Sequence, residues 1–91
     1  MFDDIEVNQR VSERHPEIQE SDVATAWANV LVVIERSGTS LPDTVLVAVG
    51  FDSNGRFIEM VGSVMENGIV HIFHAMTPPT KRTLQEVGIG R

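Results

Sequence analysis

The sequence predicts an α+β fold: two N-terminal helices, a three-stranded antiparallel meander and a C-terminal helix. Three observations predict it. Apolar residues recur at helical spacing between Val23 and Ile34. Three short apolar runs between Thr44 and Met76 are separated by Asn54-Gly55 and Asn67-Gly68, the strongest short-range hairpin signal. The segment Thr77-Pro78-Pro79-Thr80 then opens a last short helix.

Each element follows in chain order. Asp3 or Asp4 can cap a first helix over about residues 4–14. Val7 and Val11 stand one turn apart on it, as do Arg10 and Arg14. The helix stops before Pro16, because a residue preceding proline disfavours the α conformation. A second helix over about 20–35 carries Val23, Ala26, Trp27, Val30, Leu31 and Ile34 on one face. Glu20 and Asp22 suit the positive end of its dipole, Gly38 closes it, and Pro42 keeps the chain from resuming helix. Strands are expected at about 44–51, 56–64 and 69–76, and a helix at about 80–87, stopped by Gly88.

Turn chemistry sets a register. Asp52-Ser53-Asn54-Gly55 reads as a type I turn with a left-handed glycine. With three-residue loops at both turns, Glu59 faces Val49 and Ala75, Ser63 faces His71, and His74 faces Met60. Glu59 and His74 then lie on opposite faces, and a one-residue slip would exchange them. Both faces are largely apolar. One carries Val45, Val47, Val49, Phe51, Val61 and Phe73, and the other Leu46, Ala48, Ile58, Met60, Ile72 and Met76. Helices can cover one face; the other needs the remaining helix or a second protein chain.

Ninety-one residues make one domain. The absence of cysteine excludes disulfides, thiolate metal sites and cysteine nucleophiles, and suits a reducing cytoplasm. No apolar run approaches the roughly 20 residues that span a bilayer, and the first residues lack a signal-peptide pattern. The net charge of −6 is uneven. Residues 1–35 hold eight acids against Arg10 and Arg14, whereas residues 36–91 balance five acids with five bases. Overall acidity opposes non-specific polyanion binding, but less so for the C-terminal part.

The chain resembles the small ribonuclease toxins of bacterial type II toxin–antitoxin systems, in particular the BrnT-type branch of the RelE-like group. The residues that carry the resemblance are Glu13-Arg14-His15-Pro16-Glu17-Ile18, then Glu20-Ser21-Asp22-Val23 opening a helix, and His71-Ile72-Phe73-His74-Ala75-Met76-Thr77 leading into Lys81-Arg82. The resemblance implies a RelE-like fold, metal-independent cleavage of RNA, and neutralisation by a bound antitoxin protein. RNA or the ribosome is the implied target, with no cofactor and no membrane. The chain departs from such toxins in being acidic. Either RNA cleavage has been lost, or the RNA face is a small neutral-to-basic patch. A non-catalytic interaction module that binds a partner or a second copy through its sheet is the alternative.

Metal-free RNA cleavage needs a group to deprotonate the 2′-hydroxyl, a group to protonate the leaving 5′-oxygen, and donors for the phosphate charge. Histidine suits both proton steps. His74 near the end of the last strand, with Lys81 and Arg82 at a helix start, forms a candidate phosphate site. The plainer reading is an ordinary strand histidine beside two solvated cations. Glu59, mid-strand on an apolar face, must be at a wet rim, paired, or catalytic. Arg10, Arg14 and His15 are candidate substrate-binding residues, although Arg14 and His15 also suit the negative end of a helix dipole. His71, near Ser63, reads as a hydrogen-bonded structural residue and Trp27 as core. Three histidines without a ligand-like spacing predict no metal site.

Overall fold

The computed structural model describes residues 4–36 and 44–89. The chain runs β1 (Ile5–Val7), α1 (Arg10–Arg14), α2 (Glu20–Ala28), β2 (Val30–Glu35), β3 (Val45–Phe51), β4 (Phe57–Val64), β5 (Val70–Met76) and α3 (Lys81–Glu86). These strands form one five-stranded sheet in the order β1-β5-β4-β3-β2. Neighbours are antiparallel except β1 and β5, which are parallel. The expected class of two N-terminal helices plus a three-stranded meander is therefore corrected. The meander is the middle of a wider mixed sheet, and each expected N-terminal helix yields part of its length to an edge strand.

The first correction has a local cause. Ile5-Glu6-Val7 alternates inward, outward, inward, which is strand rather than helix periodicity. Parallel pairing places Ile5, Glu6 and Val7 opposite Val70, His71 and Ile72. That pairing occupies an edge of β5 that would otherwise carry unpaired N–H and C=O groups. Asp4 does not cap a helix; its carbonyl accepts from the Val70 N–H. The turn into α1 is made by Asn8, whose Oδ1 accepts from the Arg10 N–H at 2.9 Å. The expected cap at Asp3 and the stops at Gly38 and Pro42 lie outside the described residues.

The second correction is at Asn29. α2 ends at Ala28, and the Asn29 side chain and backbone N–H both donate to the Thr25 carbonyl. Val30-Leu31-Val32-Val33-Ile34 follows, a run dominated by β-branched residues that fit a pleated sheet better than a helix. It pairs antiparallel with β3 as β2, with an irregularity between Val30 and Val32. The helical spacing of Val30, Leu31 and Ile34 is thus coincidental. Gly50 lets this corner close, because a Cβ there would run into the Ala26 carbonyl.

The β3–β4 hairpin has the register that its turn implies, with Val49 opposite Glu59 and Val45 opposite Ser63. Gly55 adopts a φ of 78°. In the β4–β5 hairpin the expected register holds next to the turn, where Val64, Ser63 and Gly62 face Val70, His71 and Ile72. It then slips by one: Val61 faces His74, Met60 faces Ala75 and Glu59 faces Met76. Phe73 is the extra residue of a β-bulge. Gly62, opposite Ile72, stands beside it, where a Cβ would crowd Val70, Ile72 and the His71 carbonyl. Met76 consequently leaves the Met60 face and Ala75 takes its place.

One sheet face packs under α1 and α2, with Val11, Ile18, Val23, Ala26 and Trp27 against Leu46, Ala48, Ile58, Met60, Ile72 and Ala75. On the other face Val45, Val47, Val49 and Val61 cluster with Val87, which follows α3. β3 is buried from Val45 to Gly50, as a central strand covered on both sides must be. Arg56 ties the first hairpin to α2: its guanidinium donates to Asp52 at 2.7 Å, to the Glu17 carbonyl at 3.0 Å and to Asp22 at 3.4 Å. Replacing Gly50 by alanine forces β3 and the end of α2 apart. The expected loss is about 1–3 kcal/mol, the usual cost of an overpacked core, read from urea unfolding.

Candidate functional site

The bulge turns His74 onto the face that carries Glu59. The expectation that these two residues lie on opposite faces is overturned: His74 Nε2 is 2.7 Å from Glu59 Oε2. The Glu59 side chain is only 5% exposed, so an ionised carboxylate there needs partners. It has them. Its Oε1 accepts from the Thr80 N–H at 2.6 Å. Burial works to raise the Glu59 carboxyl, but hydrogen bonds from His74, the Thr80 backbone and the Thr80 and Thr83 side chains outweigh it and hold it at about 2. Glu59 is therefore a carboxylate at neutral pH and can only accept. The proton of the bond lies on His74 Nε2, which leaves Nδ1 with a lone pair in neutral histidine. His74 Nδ1 has no partner among the described residues.

The same bond corrects the expected phosphate site at the start of α3. Thr80 caps that helix, its hydroxyl accepting from the Thr83 N–H at 3.2 Å. The anion near the helix start is Glu59 itself. Lys81 is exposed and does not line the site.

An open cleft of about 510 Å³ lies over this pair, lined among others by Arg14, Arg36, Glu59, Phe73, His74 and Arg82. Its parts come from far apart in the chain. β1 ends opposite Ile72. α1 then packs against β5, and its last residue, Arg14, reaches the cleft. His15 follows, with its ring 6.4 Å from that of His74 and at 89° to it. Neither Arg14 nor Arg82 has an ion-pair partner among the described residues. Arg10, the remaining sequence candidate, is exposed and outside the cleft.

Arg36 was not legible as a site residue. Its guanidinium is held by Glu86 through two bonds of 2.9 and 3.0 Å. The bond to Glu86 raises the guanidinium and holds the Glu86 carboxyl down. This pair fastens the end of β2 to α3 across the cleft. Phe73, 38% exposed, is in the sequence only one member of an apolar set. The lone Gly62 inside a strand was the available signal for a bulge, and hence for both Phe73 and His74.

His71 is spoken for. Its Nδ1 is 2.7 Å from Glu6 and its Nε2 is 3.3 Å from the Asn8 amide. Among the described residues, no group of three or more histidine, aspartate or glutamate side chains is placed to hold a metal ion. No helix among them is long and apolar enough to cross a membrane.

The Glu59 bonds make a pH prediction. A carboxyl held at about 2 rather than its ordinary 4.5 stabilises the fold fully above pH 4.5. That stabilisation is lost as pH falls from 4.5 through 2, and amounts to something on the order of 3 kcal/mol. Asp52 and Glu86, also held low, act in the same acid range. Urea unfolding between pH 2 and 6 should therefore show a shallower acid dependence in Glu59→Gln than in the wild type. An unchanged slope would mean that the carboxylate bonds do not stabilise the fold.

No protein-family model, curated protein or solved structure matches the chain.

Proposed function

We propose that the protein is a metal-independent endoribonuclease, with the toxin role that its sequence resemblance implies. The observation that carries the reading is the hydrogen-bonded Glu59–His74 pair in an open cleft with two arginines, Arg14 and Arg82, that form no salt bridge among the described residues. Glu59 fixes the tautomer and orientation of His74. His74 Nδ1 is then a base for a ribose 2′-hydroxyl, and the attack of that oxygen on the adjacent phosphorus needs no water. Arg14 and Arg82 are the donors for the phosphate charge that grows in the transition state. The exposed ring of Phe73 supplies a surface on which an unpaired base can stack. The cleft is the small basic patch that an acidic chain needs to hold RNA.

A second reading, a protein-interaction module, is favoured by a separate groove. Leu31, Val49, Phe57, Pro78, Pro79, Leu84 and Ile89 line an apolar depression of about 350 Å³. Leu31 and Phe57 are more than half exposed in it. A neutralising partner fits the first reading as well as the second.

RNA cleavage separates the two. Purified protein with excess EDTA should cut single-stranded RNA and leave 2′,3′-cyclic phosphate ends. His74→Ala should slow cleavage by about 10²–10⁴, the usual contribution of a positioned acid or base, while the circular dichroism spectrum is unchanged. Lys81→Ala should retain most activity. Absence of cleavage on any RNA, together with undisturbed growth when the protein is induced, would leave the interaction module standing.

A further inference from the structure

We propose that His15 is the general acid of the cleft, the group that gives a proton to the leaving 5′-oxygen. The inference rests on the ribonuclease reading above and adds the second half of its proton transfer. Cleavage by a 2′-hydroxyl moves two protons, one from the nucleophile and one to the leaving group. The Glu59–His74 pair accounts for the first. The second needs another titratable side chain within reach of the same phosphodiester.

The structure offers few. Arg14, Arg36 and Arg82 offer guanidinium N–H donors and charge, and a guanidinium does not serve as a general acid. Glu59 is an acceptor engaged by His74 and Thr80. His71 has both ring nitrogens occupied, by Glu6 and Asn8. His15 remains. Its ring centroid lies 6.4 Å from that of His74, edge to face. That separation lets the two imidazoles address two oxygens of one phosphodiester, each at hydrogen-bond reach of roughly 2.6–3.2 Å. His15 is not itself a lining residue; it follows Arg14, which lines the cleft, and its Nδ1 sits 3.8 Å from the Glu17 carboxylate. Nε2 has no partner among the described residues. The backbone also fixes the residue: the His15 N–H donates to the Val11 carbonyl at 2.9 Å, and its carbonyl accepts from Ile18 at 2.8 Å.

The step balances. The 2′-hydroxyl proton passes to His74 Nδ1 while the 2′-oxygen forms a bond to phosphorus. The bond from phosphorus to the 5′-oxygen breaks, and that oxygen takes the proton of His15 Nε2. The products are a 2′,3′-cyclic phosphate and a 5′-hydroxyl. Solvent then takes the extra proton from His74 and gives one to His15.

A sulfur leaving group tests the assignment. Two oligonucleotides of one sequence are compared, ordinary RNA and RNA with sulfur in place of the bridging 5′-oxygen at the mapped cut site. A thiolate departs without a proton. His15→Ala and His15→Gln should cut ordinary RNA about 10²–10⁴ times more slowly than wild type and recover most of that loss on the sulfur substrate. His74→Ala should be slow on both. Wild-type rates on ordinary RNA in both His15 variants would overturn the proposal, as would an equal loss on both substrates. Wild-type protein that cuts neither oligonucleotide overturns the ribonuclease reading instead. If the alanine variant does not fold, the glutamine variant decides.

Discussion

Everything specific about this molecule depends on one extra residue in β5. Without Phe73 as a bulge, His74 would face the α1–α2 layer and Glu59 would be a buried carboxylate with one partner fewer. A buried, unpaired carboxylate is costly enough that a fold avoids it. The bulge supplies the imidazole, and the turn into α3 supplies the Thr80 N–H. Glu59 thus joins β4, β5 and α3 at one point. The Arg36–Glu86 bond adds β2 to the same assembly. The wall of the cleft and the covering of the second sheet face are consequently the same piece of structure.

The centre of the fold was legible because hairpins are local. Asn54-Gly55 and Asn67-Gly68 fix where the chain reverses, and burial on both faces fixes the register beside each turn. The edges were not legible, for two reasons. Ile5-Glu6-Val7 is three residues long, so its alternation shows only once it is paired, and its partner is more than sixty residues away. Val30 to Ile34 satisfies helical spacing and β-branched composition at once, and only the open edge of β3 decides between them. Glu59, His74, Arg14 and Arg82 were nameable as candidates from residue type alone. Their convergence was not, since it turns on a one-residue slip that only Gly62 signalled. Lys81 and Arg10 were drawn in by sequence proximity and helix spacing, neither of which controls which way a side chain faces the cleft.

The charge of the chain and the chemistry of the cleft are reconciled by placement. Acidic residues are concentrated before residue 36. Asp22, one of them, is absorbed by the Arg56 cluster. Arg14 and Arg82 come from opposite ends of the sequence to one opening. Net charge describes the far field of a protein, whereas a short strand of RNA meets the near field, within about a Debye length of ~8 Å. On the ribonuclease reading, an acidic exterior with Arg14 and Arg82 at one opening disfavours unspecific coating of long polyanions while leaving one address for a phosphate.

The parallel pairing of β1 with β5 has a temporal side. The cleft needs Arg14 from the beginning of the chain and Thr83 from near the other end. The bonds that bring them together, such as Asn8 to Ile72, close over most of the sequence. Contacts so distant carry the largest loop-closure entropy and are intrinsically slow to form. A chain still lacking its last residues therefore has no finished cleft. On the ribonuclease reading proposed above, this order of assembly postpones the capacity to cut until the ribosome has delivered α3.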